Sequence, residues 1–172
     1  MFFNRHRRLG TQVGHGVWQT LRDASLSSSL GSKGFFDPPP DFFKDSYVSG
    51  FIIGAINGAL IAGAKGSGWS SRKKGEFMLC ALEVIDPSKT VEKFLLGDSS
   101  VENKSLHIEG NNDGVSVSLA VYNGLKSDDP NQKVVMAREM VDMFAGTLGS
   151  NGGLAGALIT LTIVDYLKRR WG

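Results

Sequence analysis

The sequence predicts a mainly helical fold that places part of its chain in a membrane, and three observations carry this. Gly50, Gly54 and Gly58 stand at strict four-residue spacing inside an apolar run that ends at Lys65. Residues 46–64 and 143–164 are two stretches without a charged side chain, each close to the about 20 residues that hydrocarbon requires. The second stretch repeats the small-residue spacing at Gly149, Gly153 and Ala157. Glycines four apart line one helix face with hydrogen atoms, so a neighbouring helix can approach backbone to backbone, as helices do in lipid. Each glycine costs a helix about 1 kcal/mol against alanine. A face holding three of them is therefore read as a contact, a glycine zipper. The competing architecture is a soluble α+β domain, with a small sheet over 76–122 and both glycine-rich helices buried in a water-soluble core; a mean hydropathy of −0.08 keeps it open.

Taken in order, the chain opens with a basic N-terminal extension to residue 45. Arg5, Arg7, Arg8, Arg22 and Lys33 face a single acid, Asp23, before Gly34. No apolar segment follows, so a secretory signal is not expected. Rich in arginine and serine, this opening reads either as an organellar targeting segment or as a disordered basic tail. Residues 17–30 have the pattern of a short amphipathic helix, ended by Pro38, Pro39 and Pro40. A helical membrane domain then spans 46–172. Phe42, Phe43 and Tyr47 before its first helix, and Lys65 and Trp69 after it, are residues that favour membrane interfaces.

An extramembrane insertion is expected at about 66–113. Residues 75–85 read as a short apolar helix or a buried strand, which periodicity does not separate. Asp86-Pro87-Ser88 ends that element, and a helix follows over 89–96. Residues 109–114, Glu-Gly-Asn-Asn-Asp-Gly, have the composition of a turn. Val115, Val117, Leu119 and Val121 alternate as in a strand, although the same segment also fits a small-residue helix. Asp129 as N-cap and Pro130 at the first helical position open a helix over 131–148. Asp165, Lys168, Arg169, Arg170 and Trp171 close the chain as a polar and aromatic anchor.

Phe51-x-x-Gly54-x-x-x-Gly58, followed by Lys65-Gly66, resembles the first transmembrane helix of the mitochondrial inner-membrane preprotein translocases and their relatives. That family of preprotein and amino-acid transporters includes plastid envelope proteins and an accessory subunit of respiratory complex I. The residues 114–125, the turn Lys126-Ser-Asp-Asp129-Pro130-Asn131, and the segments 133–149 and 152–168 follow in the family's order. The resemblance implies a four-helix membrane bundle packed through Gly50, Gly54, Gly58, Gly149, Gly153 and Ala157. It departs from the family in the long 66–113 segment and in the placing of the basic residue before Asp129.

By analogy with translocase members, Arg138, Glu139, Asp142 and Asp165 are candidate intramembrane charges, which a bilayer accepts only when paired or facing protein or water. Outside a membrane, Arg138 and Asp142 are an ordinary i, i+4 pair worth a few tenths of a kcal/mol. The basic extension and the insertion favour the accessory subunit of an inner-membrane complex over the translocase channel, because such additions enlarge contact with neighbours. The partners expected are other membrane subunits and lipid.

No catalytic, cofactor or metal site is predicted. The net charge of +2, with no basic run interleaved with aromatics, argues against a nucleic-acid partner. The glycines lack the strand and the lysine–hydroxyl pair of a phosphate loop. Ser116, in Gly-Val-Ser-Val-Ser, is not in a nucleophile elbow. Cys80 is the only cysteine and reads as a buried hydrophobe. His6 and His15 fall in the basic extension, and His107 reads as the exposed side of an extended segment; together they make no ligand set.

Overall fold

A computed structural model describes residues 5–27, 38–62, 68–97, 100–126 and 154–171. Among these the fold is mainly helical, with six α-helices, a 3-10 turn ahead of the second of them and no strand. The helices are α1 (Arg5–Ser27), α2 (Ser46–Ala62), α3 (Ser71–Ile85), α4 (Thr90–Leu96), α5 (Lys104–Lys126) and α6 (Leu154–Trp171), and the 3-10 turn is Phe42–Lys44. The chain divides into two compact units, one of residues 1–18 with 39–118 and the other of 19–38 with 119–172.

In the first unit, α2 is the central element. It packs on α3, α4 and the 3-10 turn, and Tyr47, Val48, Phe51, Ile52 and Ile56 are buried with Phe42, Leu82, Ile85 and Val91. Burial of each such side chain contributes about 1.5–3 kcal/mol. Every helix start in this unit except that of α1 is shaped by a short polar residue. Asp45 Oδ1 accepts from the backbone N–H of Tyr47 at 3.0 Å and of Val48 at 3.1 Å, satisfying two donors that the first turn of α2 leaves open. Ser70 caps α3, and Asn103 Oδ1 accepts from Leu106 N at 3.1 Å to cap α5.

Asp86 is buried at the junction of α3 and α4. Its backbone N–H closes the last turn of α3 on Leu82 O at 2.8 Å. Its carboxylate accepts from Ser88 N at 3.0 Å, from Ser88 Oγ, and from Val91 N at 2.8 Å. One side chain therefore ends one helix and starts the next. Lys89, between them, adopts a left-handed backbone with φ 60°. Gly97 ends α4 at φ 79°, a conformation that glycine adopts without steric cost.

Among the described residues of the second unit, Leu21, Ile163 and Leu167 are buried. Ser25 Oγ donates to Leu21 O at 2.7 Å, and Gln19 Nε2 donates to both carboxylate oxygens of Asp23 at 3.1 and 3.2 Å.

Several expectations are corrected. Residues 109–114 form no turn, and of the two readings of 115–125 the helix holds, because both segments lie inside the single helix α5. The choice between helix and strand for 75–85 falls to helix, so the small sheet imagined over 76–122 is replaced by α3, α4 and α5. The amphipathic helix expected over 17–30 begins twelve residues earlier, at Arg5, so residues 5–27 are not a disordered tail. The helix expected over 89–96 is found as α4. Among the described residues no helix is long and apolar enough to cross a membrane, and the uncharged stretch 46–64 provides the 17 residues of α2.

Candidate functional site

The two glycine-spaced helices α2 and α5 meet along their backbones. A Cβ built on Gly50 or on Gly54 would come closer than 3.0 Å to the carbonyl oxygens of His107 and Asn111 respectively, and one on Gly58 would lie 2.8 Å from Val115 O. The partner helix answers in kind. A Cβ on Gly110 would meet Tyr47 O, and one on Gly114 would lie 2.6 Å from Ala55 N, again inside the closest approach that real side chains show. Backbone therefore faces backbone from both sides, and only hydrogen fits at these five positions.

The order of contacts fixes the direction. Gly50 meets His107, Gly54 meets Asn111, and Gly58 meets Val115 and Ser118, so position along α2 rises with position along α5. The two helices run parallel. Polar groups tie the seam along its length. Asn103 N donates to Ser46 Oγ at 2.9 Å where both helices begin, Tyr47 Oη donates to Asp113 Oδ2 at 2.6 Å, and Ser118 Oγ donates to Ala55 O at 2.7 Å. His107 Nδ1 lies 3.2 Å from Ser46 O and 3.2 Å from Ser49 Oγ. A carbonyl only accepts, so Nδ1 carries the proton in this arrangement, and the imidazole is not placed to take one from Ser49. His107 is thus a helix-to-helix tie rather than the outer face of an extended segment, and Ser49 is fully buried behind it.

A second glycine contact joins α1 to α3. A Cβ on Gly10 would strike Phe77 O, and one on Gly14 would lie 2.6 Å from Ala81 O. Next to it His6, which is buried, donates from Nε2 to Glu76 Oε2 at 2.7 Å, and Arg72 Nε donates to Glu76 Oε1 at 3.0 Å. Arg7 Nε approaches Glu76 Oε2 at 3.5 Å. The hydrogen bond from His6, then that from Arg72, hold the Glu76 carboxyl below its ordinary range, because both favour the charged form. The His6 ring meets Trp69 edge-on at 6.0 Å between centroids. His6 is consequently a buried docking residue, not part of a loose tail.

Of the residues predicted to pack helices, Gly50, Gly54 and Gly58 lie in the α2–α5 seam. Gly149 and Gly153 fall outside the described residues, as do Arg138, Glu139 and Asp142, the turn over 126–131 apart from the backbone of Lys126, and the helix expected over 131–148. Ala157 is in α6, with its side chain outside the described set. Asp165 is on α6 and exposed, and its carbonyl accepts from Arg169 Nε at 3.3 Å. Sequence reasoning missed Gly10, Gly14, Gly110 and Gly114 as contact residues. The signal was present, since each pair has the same four-residue spacing as the α2 glycines.

The side chains considered for chemistry have structural occupations. Ser116 Oγ donates to Asn112 O at 2.8 Å on an exposed part of α5. Cys80 is half-buried near Gly10, and burial pushes its thiol up, away from the reactive thiolate. Among the described residues no group of three or more histidine, cysteine or acidic side chains is placed to hold a metal ion. Compared with family models, characterised proteins and solved structures, the chain finds no match.

Proposed function

We propose that this chain works by packing rather than by chemistry, as a membrane-embedded accessory subunit of a mitochondrial inner-membrane complex such as respiratory complex I. One observation carries the reading: α2 and α5 touch through reciprocal glycines, the mode of association that helices use where lipid removes the hydrophobic drive for burial. The uncharged runs 46–64 and 143–164 and the exposed apolar side chains of Ile61, Leu96 and Ile108 support it, as surface for neighbouring subunits.

At 1.5 Å per residue, α2 extends about 25 Å, short of the about 30 Å of a hydrocarbon core. In this reading α2 therefore enters the apolar layer as half of a packed pair, while Lys104, Glu109 and Asp113 keep the first turns of α5 at its polar edge. Because α5 covers the glycine face of α2, and α3, α4 and the 3-10 turn pack on it as well, contact with other subunits falls to the exposed Ile61, Leu96 and Ile108.

The test is extraction of organelle membranes with alkaline carbonate, followed by native electrophoresis in mild detergent. The chain is expected in the pellet and in a large complex. Quantitative release as a free monomer would sink the proposal.

A further inference from the structure

The contact between α1 and α3 gathers charge that lies far apart in sequence. Arg5, Arg7 and Arg8 are within two residues of His6, and Arg72, Lys73 and Lys74 are within four of Glu76, so the His6–Glu76 bond sets two cation-bearing helix starts side by side, with Arg7 and Arg72 both reaching Glu76. Arg5, Arg7, Arg8, Arg72 and Lys73 are exposed and Lys74 half-exposed. Glu76 is the only acid within four residues of either partner. Six cations and one carboxylate therefore stand at these two helix starts in a chain whose net charge is only +2, with Glu83 the next acid along α3. The half-exposed indole of Trp69 lies against His6, edge-on, and against Phe77 at 5.8 Å between ring centroids.

We propose that this α1–α3 surface docks onto an anionic lipid bilayer. The inference goes beyond the accessory-subunit reading, because it concerns a headgroup contact that does not require the chain to be embedded. Clustered lysine and arginine are attracted to the negative surface of acidic phospholipids. Guanidinium groups match phosphate oxygens with paired donors, and Arg5 and Arg8 have no carboxylate to satisfy them among the described residues. Tryptophan is the aromatic that sits at headgroup level, apolar body inward and N–H outward. A long polyanion such as RNA fits less well. The patch spans about one turn of each helix, too short to track a nucleic-acid strand, and it offers a single indole rather than a row of stacking platforms.

Flotation of the full-length chain with vesicles tests this. Phosphatidylcholine vesicles are compared with vesicles in which on the order of a third of the lipid is phosphatidylglycerol. Recovery with the anionic vesicles is expected to exceed that with neutral ones by about tenfold and to fall as salt shortens the screening length. The variant Arg5→Glu/Arg8→Glu/Lys73→Glu leaves the His6–Glu76–Arg72 cluster in place and is expected to lose this preference. Arg5→Lys/Arg8→Lys/Lys73→Arg is expected to keep it, and circular dichroism of both checks that the helices persist. Should charge reversal disturb folding, Arg5→Gln/Arg8→Gln/Lys73→Gln makes the same comparison. Equal recovery with both vesicle types, unchanged binding of the reversed variant, or stronger retention by single-stranded RNA than by anionic vesicles would each overturn the proposal. A chain released by carbonate that still floats with anionic vesicles would sink the accessory-subunit reading and leave this one standing.

Discussion

Tyr47 and Asp113 are 66 residues apart in sequence and joined by a 2.6 Å hydrogen bond, phenol to carboxylate, beside the glycine seam of α2 and α5. Tyr47 is fully buried, so its hydroxyl needs a partner, and the Asp113 carboxylate supplies one. Replacing Tyr47 with Phe removes the donor and leaves a part-buried carboxylate short of one bond. The expected loss is about 1.5–3 kcal/mol, the range for hydrogen bonds to charged groups. Thermal or chemical unfolding would register it, and a variant as stable as the parent would show that water replaces the phenol at no cost.

Two glycines in neighbouring helices are expected to respond to alanine with opposite signs. At Gly54 the new methyl would collide with the backbone of Asn111, which cannot step aside without parting the helices. At Gly75, in α3, nothing lies within 4 Å of the new atom. Gly75→Ala is therefore expected to stabilise by up to about 1 kcal/mol through helix propensity alone. Gly54→Ala gains the same propensity but suffers overpacking of about 1–3 kcal/mol or more, so its net effect is destabilising. Unfolding midpoints of the pair check this directly, and a stabilised Gly54→Ala would mean that the seam is looser than described.

Asp86→Ala removes the acceptor shared by Ser88 and Val91, and with it the cap that starts α4. The expected cost is about 2–3 kcal/mol, from a lost cap together with a buried amide left unpaired. Asp86→Asn keeps one acceptor oxygen and is expected to lose less. Hydrogen exchange at Val91 N–H distinguishes a local effect from a global one, since that amide should lose protection first.

The α1–α3 contact is expected to weaken in acid. Glu76 is held below its ordinary value of 4.5, so its folded form binds protons less readily than its unfolded form. Its contribution to stability is thus complete above that value and is lost as pH falls through the lower folded value. Glu76→Gln should remove this acid dependence while lowering stability near neutrality. Fluorescence of Trp69, which touches His6, offers a readout once Trp18 and Trp171 are replaced by Phe.

The glycine face of α2 was legible because three glycines at one spacing inside an apolar, uncharged run weaken a helix unless a second backbone comes close enough to need them. The matching face of α5 carried the same spacing, but its neighbours masked it. Gly110 and Gly114 flank Asn-Asn-Asp, residues whose side chains compete with helix hydrogen bonds and whose usual place is a turn. What overrides that local preference is tertiary: Asn111 lends its backbone to Gly54 and Asp113 takes the Tyr47 hydroxyl, so the polar residues hold the seam instead of breaking the helix. The valines at 115, 117 and 121 left strand and helix open, since alternation over a few residues also occurs by chance in a helix. His6 was unreadable for another reason. Its partner Glu76 is 70 residues away, and no local pattern announces so distant a bond.

The common direction of α2 and α5 changes what the residues between them are for. Two helices that begin side by side oblige the polypeptide to travel back the whole length of the first before it can start the second, about 25 Å for 17 residues. The portion carrying α3 and α4 makes that journey, so it is the molecule's return path and not an ornament that could be trimmed. Joined by a short hairpin instead, the second helix would have to reverse its heading, and none of the five glycines would meet its present counterpart.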